Sequence, residues 1–410
     1  MMAKCATARP VSGRCRMAER QGRCRRAVLA WPVPRPALTA AALVLASVVA
    51  AEDEPARARR IHASLIGIDS HIDTLQRVLN GQEDISRRLP RGHVDLPRLK
   101  EAGMVAPFFA LWVPTYYKGS EAVRRTLQLR DAMQAMLDAH PDQIELATTA
   151  ADVERIAGAG KVAAVLTLEG GHQIADDLAV LRVYHRLGLR SMTLTHFRNN
   201  NWADASTDRP QHNGLTDFGR QVVREMNRLG MTFYDTLAVT TKPVIASHSS
   251  CRALSDVPRN MSDDMIRALA SNGGVVGINF GAGFLNQGDA EALRRRIGEA
   301  VATEPALAGR ALDEFAAADY VKEYTQMRPA SATLQDAVEH IDHAVKIAGV
   351  DHVGIGSDFD GINSVPAGLE DVSKMPDLTA ALLRRGYSES EVRKILGGNF
   401  LRVLREVTGR

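Results

Sequence analysis

Seven short apolar runs, at 64–73, 104–113, 161–171, 191–197, 242–250, 273–280 and 352–361, are separated by segments of helical periodicity. Strands that alternate with helices predict βα units around a parallel sheet. Most of the runs are rich in Val, Ile or Leu, as strands covered on both faces require. No Gly-rich dinucleotide turn follows the first run, so the α/β class expected is a closed (β/α)8 TIM barrel rather than an open nucleotide-binding sheet. A chain of 410 residues with 45% hydrophobic and 24% charged side chains has the material for such a core.

Seven runs are one fewer than a closed barrel needs. The shortfall has a position: residues 215–248 carry two helical patterns with only "LGMT" between them. The strand expected after Met231 is missing there, which predicts seven inward-facing strands and a turn or a through-running helix at the gap. The stretch from 281 to 351 is conversely too long for one crossover. Helical patterns at 289–302 and 311–327 predict an insertion at about 284–330 over the active face, ahead of a helix at 331–349. Ser262 is placed as an N-cap closed by Gly273, and Ser388 with Glu391 as a capping box.

The ends of the runs carry the chemistry. His71 and Asp73 end the first, Glu169 the third, His196 the fourth, His248 the fifth and Asp358 the last. All fall at the carboxyl ends, where barrel active sites are built. Period two sets Asp69, His71 and Asp73 on one face of the first strand, opposite Ile66, Ile68 and Ile72. Acids and imidazoles converging inside a barrel are costly to bury unless something pairs with them. A divalent cation does so, and a mixed His and carboxylate set suits zinc. Histidines away from strand ends, such as His93, His340 and His352, are read as solvated or structural. In "GSDFDG", Asp360 competes with Asp358 for the reactive role but also suits a turn.

The segments "DSHIDT", "LEGGH", "LTHFRNNNWA", "VIASHSS", "PRNMSDDMIRAL", "GIGSDFDG" and "GLEDVSKMPDLTAALLRRGYSESEV" together resemble the membrane dipeptidase (renal dipeptidase) family of zinc peptidases, over residues 60 to 408. The resemblance implies a barrel holding two zinc ions bridged by a carboxylate and a hydroxide, and hydrolysis of dipeptides, often with a D- or dehydro residue at the carboxyl side. Carried over, His71 and Asp73 would bind the first zinc, Glu169 would bridge, and His248 would bind the second. His196 would sit near the scissile carbonyl. Arg259 would grip the dipeptide carboxylate, as a planar guanidinium fork suits it, and Asp358 would bind the amine and pass a proton to the leaving group. A homodimer is the assembly the family suggests. One departure matters: the family's "DxSH" segment, with a further ligand for the second zinc, is absent after "VREMNRLGM". That is the place where the strand count fails. The second zinc should therefore be weakened, and the rival reading is a non-catalytic barrel that has lost this ligand strand.

Residues 1–51 read as a targeting segment. The first 36 residues hold nine Arg or Lys and one acid, followed by the apolar stretch 37–50 and then "AEDEP". Fourteen small apolar residues are too few for a membrane span but suit a signal peptide, which places the mature chain in a secreted or periplasmic setting. The remainder is mildly acidic, so no basic footprint for nucleic acid is present. Cys251 stands alone beyond residue 24 and can form no internal disulfide there.

Overall fold

The computed structural model describes residues 53–233, 237, 239–303 and 330–409. Eight strands are present among them, all paired in parallel: β1 (Phe108–Trp112), β2 (Ile144–Leu146), β3 (Val162–Glu169), β4 (Leu189–Thr193), β5 (Thr232–Phe233), β6 (Ile245–Ser249), β7 (Val275–Ile278) and β8 (Val353–Ile355). They form two ladders, β1-β3-β4-β5 with β2 joined to the start of β3, and β6-β7-β8.

The first apolar run joins the two ladders. It is no regular strand, but Asp69 bridges to Ile355 at the end of β8, and Ile72 bridges both to Phe109 in β1 and to Phe359. Its amides serve both neighbours: Ser70 donates to the Ile355 carbonyl (2.9 Å) and Ile72 to the Phe108 carbonyl (3.0 Å). The circuit is therefore β6-β7-β8, residues 69–72, then β1-β3-β4-β5, the parallel barrel expected from the alternation. Among the described residues, backbone pairing is lacking only between β5 and β6.

That seam lies where the eighth strand was expected to be missing, and the expectation needs correction. Directly after Met231 the chain is neither turn nor helix. It enters a two-residue parallel strand, with Thr232 opposite Ser191 and Phe233 opposite Met192. β2 was also absent from the sequence reading, because three residues cannot show a period. Two of the helix-capping expectations hold: Asp263–Ser271 begins after Ser262, whose hydroxyl accepts from the Met265 amide, and Ser388 and Glu391 form a reciprocal capping box. Of the two helical patterns read in 215–248, Asp217–Leu229 is the one that is helix among the described residues. Of the insertion, helices Ala282–Leu285 and Gln287–Thr303 precede helix Leu334–Ala348. The helix expected at 311–327 and the targeting segment at 1–51 lie outside the described residues. No described helix is long and apolar enough to cross a membrane.

Two buried acids lock the first run to the end of β8. Asp69 accepts from the Ser357 amide (2.9 Å) and from its hydroxyl, and burial pushes its carboxyl up to about 6 against these bonds. Asp360 is fully buried; its carboxylate accepts from Thr74 Oγ1 (2.7 Å), Arg77 Nη1 (3.0 Å) and the His93 amide (2.7 Å). The Asp360 amide in turn donates to His93 Nδ1 (2.9 Å). Removing one partner of a buried, hydrogen-bonded ion pair strands the other. Asp360→Ala should therefore lower the free energy of urea unfolding by about 3–5 kcal/mol. A loss under about 1 kcal/mol, the value of an exposed pair, would contradict this role.

Candidate metal centre and active site

The carboxyl ends of the strands bring six of the expected residues together: His71, Asp73, Glu169, His196, His248 and Asp358. His71 Nε2 lies 3.3 Å from Asp73 Oδ2 and 3.3 Å from Glu169 Oε2. The other Glu169 oxygen lies 3.4 Å from His196 Nε2 and 3.2 Å from His248 Nε2. The His71 and His248 rings stack with centroids 3.7 Å apart. Asp358 closes the set: ligand atoms of His71, His248 and Asp358 lie within 4.8 Å of one another, as do those of His71, Asp73 and Glu169. No side chain among His71, Asp73, Glu169 and His248 exceeds 5% exposure, so water cannot screen these charges.

The electrostatics follow from burial and from like groups facing each other. Burial and the Glu169 charge push Asp73 up to about 8, with His71 opposing only in part. Burial would raise Glu169 too, but the imidazoles of His71, His196 and His248 hold it well below the usual carboxylate range. Burial favours a neutral His71, yet Glu169 and Asp73 outweigh it and keep the ring protonated well above its ordinary range. His248, buried beside that cation, falls to about 4. A proton on His71 thus occupies the space between two carboxylates. His71 Nε2 and Asp73 Oδ1 are nonetheless buried with no hydrogen-bond partner. Two carboxylates and an imidazole nitrogen aimed at one point, with atoms unpaired, fit a divalent cation.

The neighbouring residues set orientations. Trp112 Nε1 donates to His196 Nδ1 (3.3 Å), which leaves the His196 Nε2 proton facing Glu169. Asn279 Nδ2 donates to Asp358 Oδ2 (2.9 Å), while its own Oδ1 accepts from the Gly281 amide (2.6 Å). Trp112 and Asn279 were missed in the sequence, although both fall at the ends of apolar runs. Arg259, in the loop after β6, donates from Nη2 to His248 Nε2. It lines a cleft of about 340 Å³ together with Glu169, His196, His248, Leu237 and Met265. Asp69 and Asp360, considered beside the reactive set, are instead committed to Ser357 and to Arg77. His93, His340 and His352 bond to backbone amides or carbonyls, as structural histidines do.

Asp358 and Asp360 both have φ of 64°, a left-handed conformation uncommon for non-glycine residues and costly enough to mark a functional turn. Gly361 follows, and a Cβ there would lie 2.2 Å from Asp73 Oδ2 and 2.3 Å from Asp358 Oδ1. Gly361→Ala must displace one or both carboxylates. It should cut the metal content of the purified chain and lower dipeptide turnover by about 10²-fold, as an ångström-scale misplacement does. The far-ultraviolet circular dichroism should stay unchanged. Full metal content with full turnover would show that the carboxylates are not held where the geometry puts them.

Comparison with known proteins agrees with this architecture. The family profile of the membrane dipeptidases, peptidase family M19, matches residues 55–409. The dipeptidase tcpJ of Claviceps purpurea (strain 20.1) is 38% identical over 336 residues, covering 77% of this chain and 69% of that protein. The dipeptidase verJ of Clonostachys rogersoniana is 34% identical over 342 residues, covering 78% and 77%. Among solved structures, the probable dipeptidase PvdM of Pseudomonas aeruginosa superposes with a TM-score of 0.75 at 28% identity, over 87% of this chain and 98% of that one. A metallopeptidase of Rhodobacter sphaeroides, liganded with a phosphinate mimic of the dipeptide L-Ala-D-Ala, superposes at 0.69 and 27% identity, over 84% and 99%. The relatives are named as dipeptidases, which does not favour a non-catalytic barrel. The chain belongs to the membrane dipeptidase family of metallopeptidases, and it is a dipeptide hydrolase.

Proposed function

We propose that the buried cluster is a zinc centre at which the chain hydrolyses dipeptides, with His71, Asp73 and Glu169 holding a first ion and Glu169 and His248 facing a second position. The observation that carries this reading is the convergence of His71, Asp73 and Glu169 in one buried donor group, with His71 Nε2 3.3 Å from a carboxylate oxygen of each acid. When bound, a divalent ion supplies Lewis acidity toward the scissile carbonyl and acidifies an attacking water. The chain's own side chains supply the rest. His196, with its Nε2 proton turned into the cleft, would donate to the carbonyl oxygen as charge develops there. Arg259 spends only Nη2 on His248, so the other edge of its fork would receive the dipeptide carboxylate. Asp358, oriented by Asn279, would bind the substrate amine and carry a proton to the leaving nitrogen.

The second position is the poorer one. No histidine lies between Met231 and His248, and β5 contributes only Thr232 and Phe233. Glu169 and His248 are fewer than the three protein ligands a catalytic zinc ordinarily keeps. Residues 1–51 would serve as a cleaved export signal, delivering a barrel of residues 60–408, with its insertion at 284–330, to a secreted or periplasmic setting, as a homodimer. A D-residue at the carboxyl side of the substrate is supported by the L-Ala-D-Ala mimic held in the Rhodobacter sphaeroides metallopeptidase.

Dialysis of the full chain against a chelator should abolish hydrolysis of L-Ala-D-Ala, and added zinc should restore it. Asp358→Asn should retain the metal but lower kcat by about 10²–10⁴, the range for losing a positioned acid or base. Turnover that survives complete metal removal would refute the zinc reading, and an Asp358→Asn chain with unchanged kcat would refute the proton-transfer role. Inserting a family-type "DxSH" strand after Met231 should strengthen binding at the second position; an unchanged second affinity would show that the lost ligand does not limit it.

A further inference from the structure

One buried imidazole holds the base of the loop that carries Arg259. His340, in helix Leu334–Ala348, is fully buried, and both of its ring nitrogens are engaged. Nδ1 accepts from the Cys251 amide (2.9 Å) in the loop after β6, and Nε2 meets the Leu285 carbonyl (3.0 Å) at the end of helix Ala282–Leu285. We propose that His340 is a positioning residue for substrate binding: by fixing these two segments together, it holds the Arg259 guanidinium where the dipeptide carboxylate arrives. The inference rests on the carboxylate role proposed above for Arg259.

Both segments act on Arg259. Cys251 bridges to Met261, the Met261 amide donates to the Ser250 carbonyl (2.8 Å), and the Arg252 amide donates to the Met261 carbonyl (2.8 Å). Cys251 therefore lies at the neck of a closed loop, and Arg259 stands just before its closing residue. The other segment supplies the ring beneath the cation: Leu285 follows Phe284, whose centroid lies 5.7 Å from the central carbon of the guanidinium. The Phe284 carbonyl also accepts from Nδ2 of Asn260 (2.9 Å), the residue next to Arg259. A long arginine presents its fork at one place only when its backbone and the aromatic face under it are both fixed.

The two bonds define the state of the ring. A backbone amide can only donate, so Nδ1 is the unprotonated nitrogen, and Nε2 carries the proton that goes to the Leu285 carbonyl. Burial pushes the ring down to about 4, which keeps this neutral tautomer at neutral pH. The Cys251 thiol adds a further tie, donating to the His340 carbonyl (3.4 Å). A buried histidine bonded at both nitrogens is ordinarily a core residue whose loss is felt in stability. Here its two partners lead to one side chain of the cleft, so its loss should be felt in substrate affinity as well.

The test is steady-state hydrolysis of L-Ala-D-Ala by the zinc-loaded full chain. It compares the wild type, His340→Met, His340→Asn, His340→Gln, Arg259→Met and the double variant Arg259→Met/His340→Met. His340→Met is of similar volume but keeps neither bond. It should raise KM about 10–100-fold, the scale of losing hydrogen bonds to a charged group. Its kcat should stay within about threefold of the wild type, because carboxylate binding is common to the ground and transition states. Asn and Gln bring an amide near the Nδ1 and Nε2 positions respectively, and each should recover part of the loss. Both must still show a KM above the wild type's, so they carry the test if the Met variant does not fold. In the Arg259→Met background, His340→Met should raise KM no further, since the group it positions is gone. An unchanged KM in the His340 variants, a fall in kcat alone, or full additivity in the double variant overturns the proposal. Arg259→Met with a wild-type KM would instead sink the carboxylate role of Arg259, and the proposal with it.

Discussion

One carboxylate organises the centre. Glu169 ends β3 and faces His71 through one oxygen and His196 and His248 through the other, nearly buried at the wall of the cleft. A buried carboxylate standing among neutral groups would protonate. Here three imidazoles hold it ionised, and its charge in turn keeps His71 protonated. The balance leaves Asp73 with nothing to share but the same proton. A divalent cation held between these groups would resolve these tensions together, and this supports the proposed metal centre.

The barrel exists to hold those strand ends in register. The first run reaches both of its neighbours through single bridges, so His71 and Asp73 are positioned from two sides at once. Asp69 and Asp360 then tie that run to the turn after β8 through Ser357, Thr74 and Arg77. The turn alternates its acids by paired left-handed residues, with Asp358 entering the donor group and Asp360 leaving it for Arg77. Gly361 is the clearance that lets this happen. At the opposite side of the barrel, the β5–β6 seam is the weak point, and Arg259 approaches the centre beside His248, the residue β6 supplies.

Much of this was legible in the sequence because burial makes a polar residue at the end of an apolar run conspicuous. His71, Asp73, Glu169, His196, His248 and Asp358 all follow that rule and converge. The same rule could not separate Asp69 and Asp360 from the reactive set, since residue type and period are identical and only the partner differs. Asn279 and Trp112 were passed over because an amide and an indole at a strand end look like ordinary core or capping groups. β2 and β5 are too short to carry a period. The two-residue β5 shows that the chain re-enters the sheet even where its pattern gives no strand. Arg259 stands over the rings of Phe197 and Phe284, which come from separate segments that sequence alone does not bring together.

The central claim is that the buried cluster binds a metal ion through His71, Asp73 and Glu169. Its most direct test is anomalous diffraction at the zinc edge from crystals of the zinc-loaded full chain. The account predicts a strong peak about 2.0–2.2 Å from His71 Nε2 and from carboxylate oxygens of Asp73 and Glu169, the distances zinc takes to nitrogen and oxygen ligands. A map with no peak there, or with the ion bound elsewhere while these side chains keep their present contacts, would contradict it.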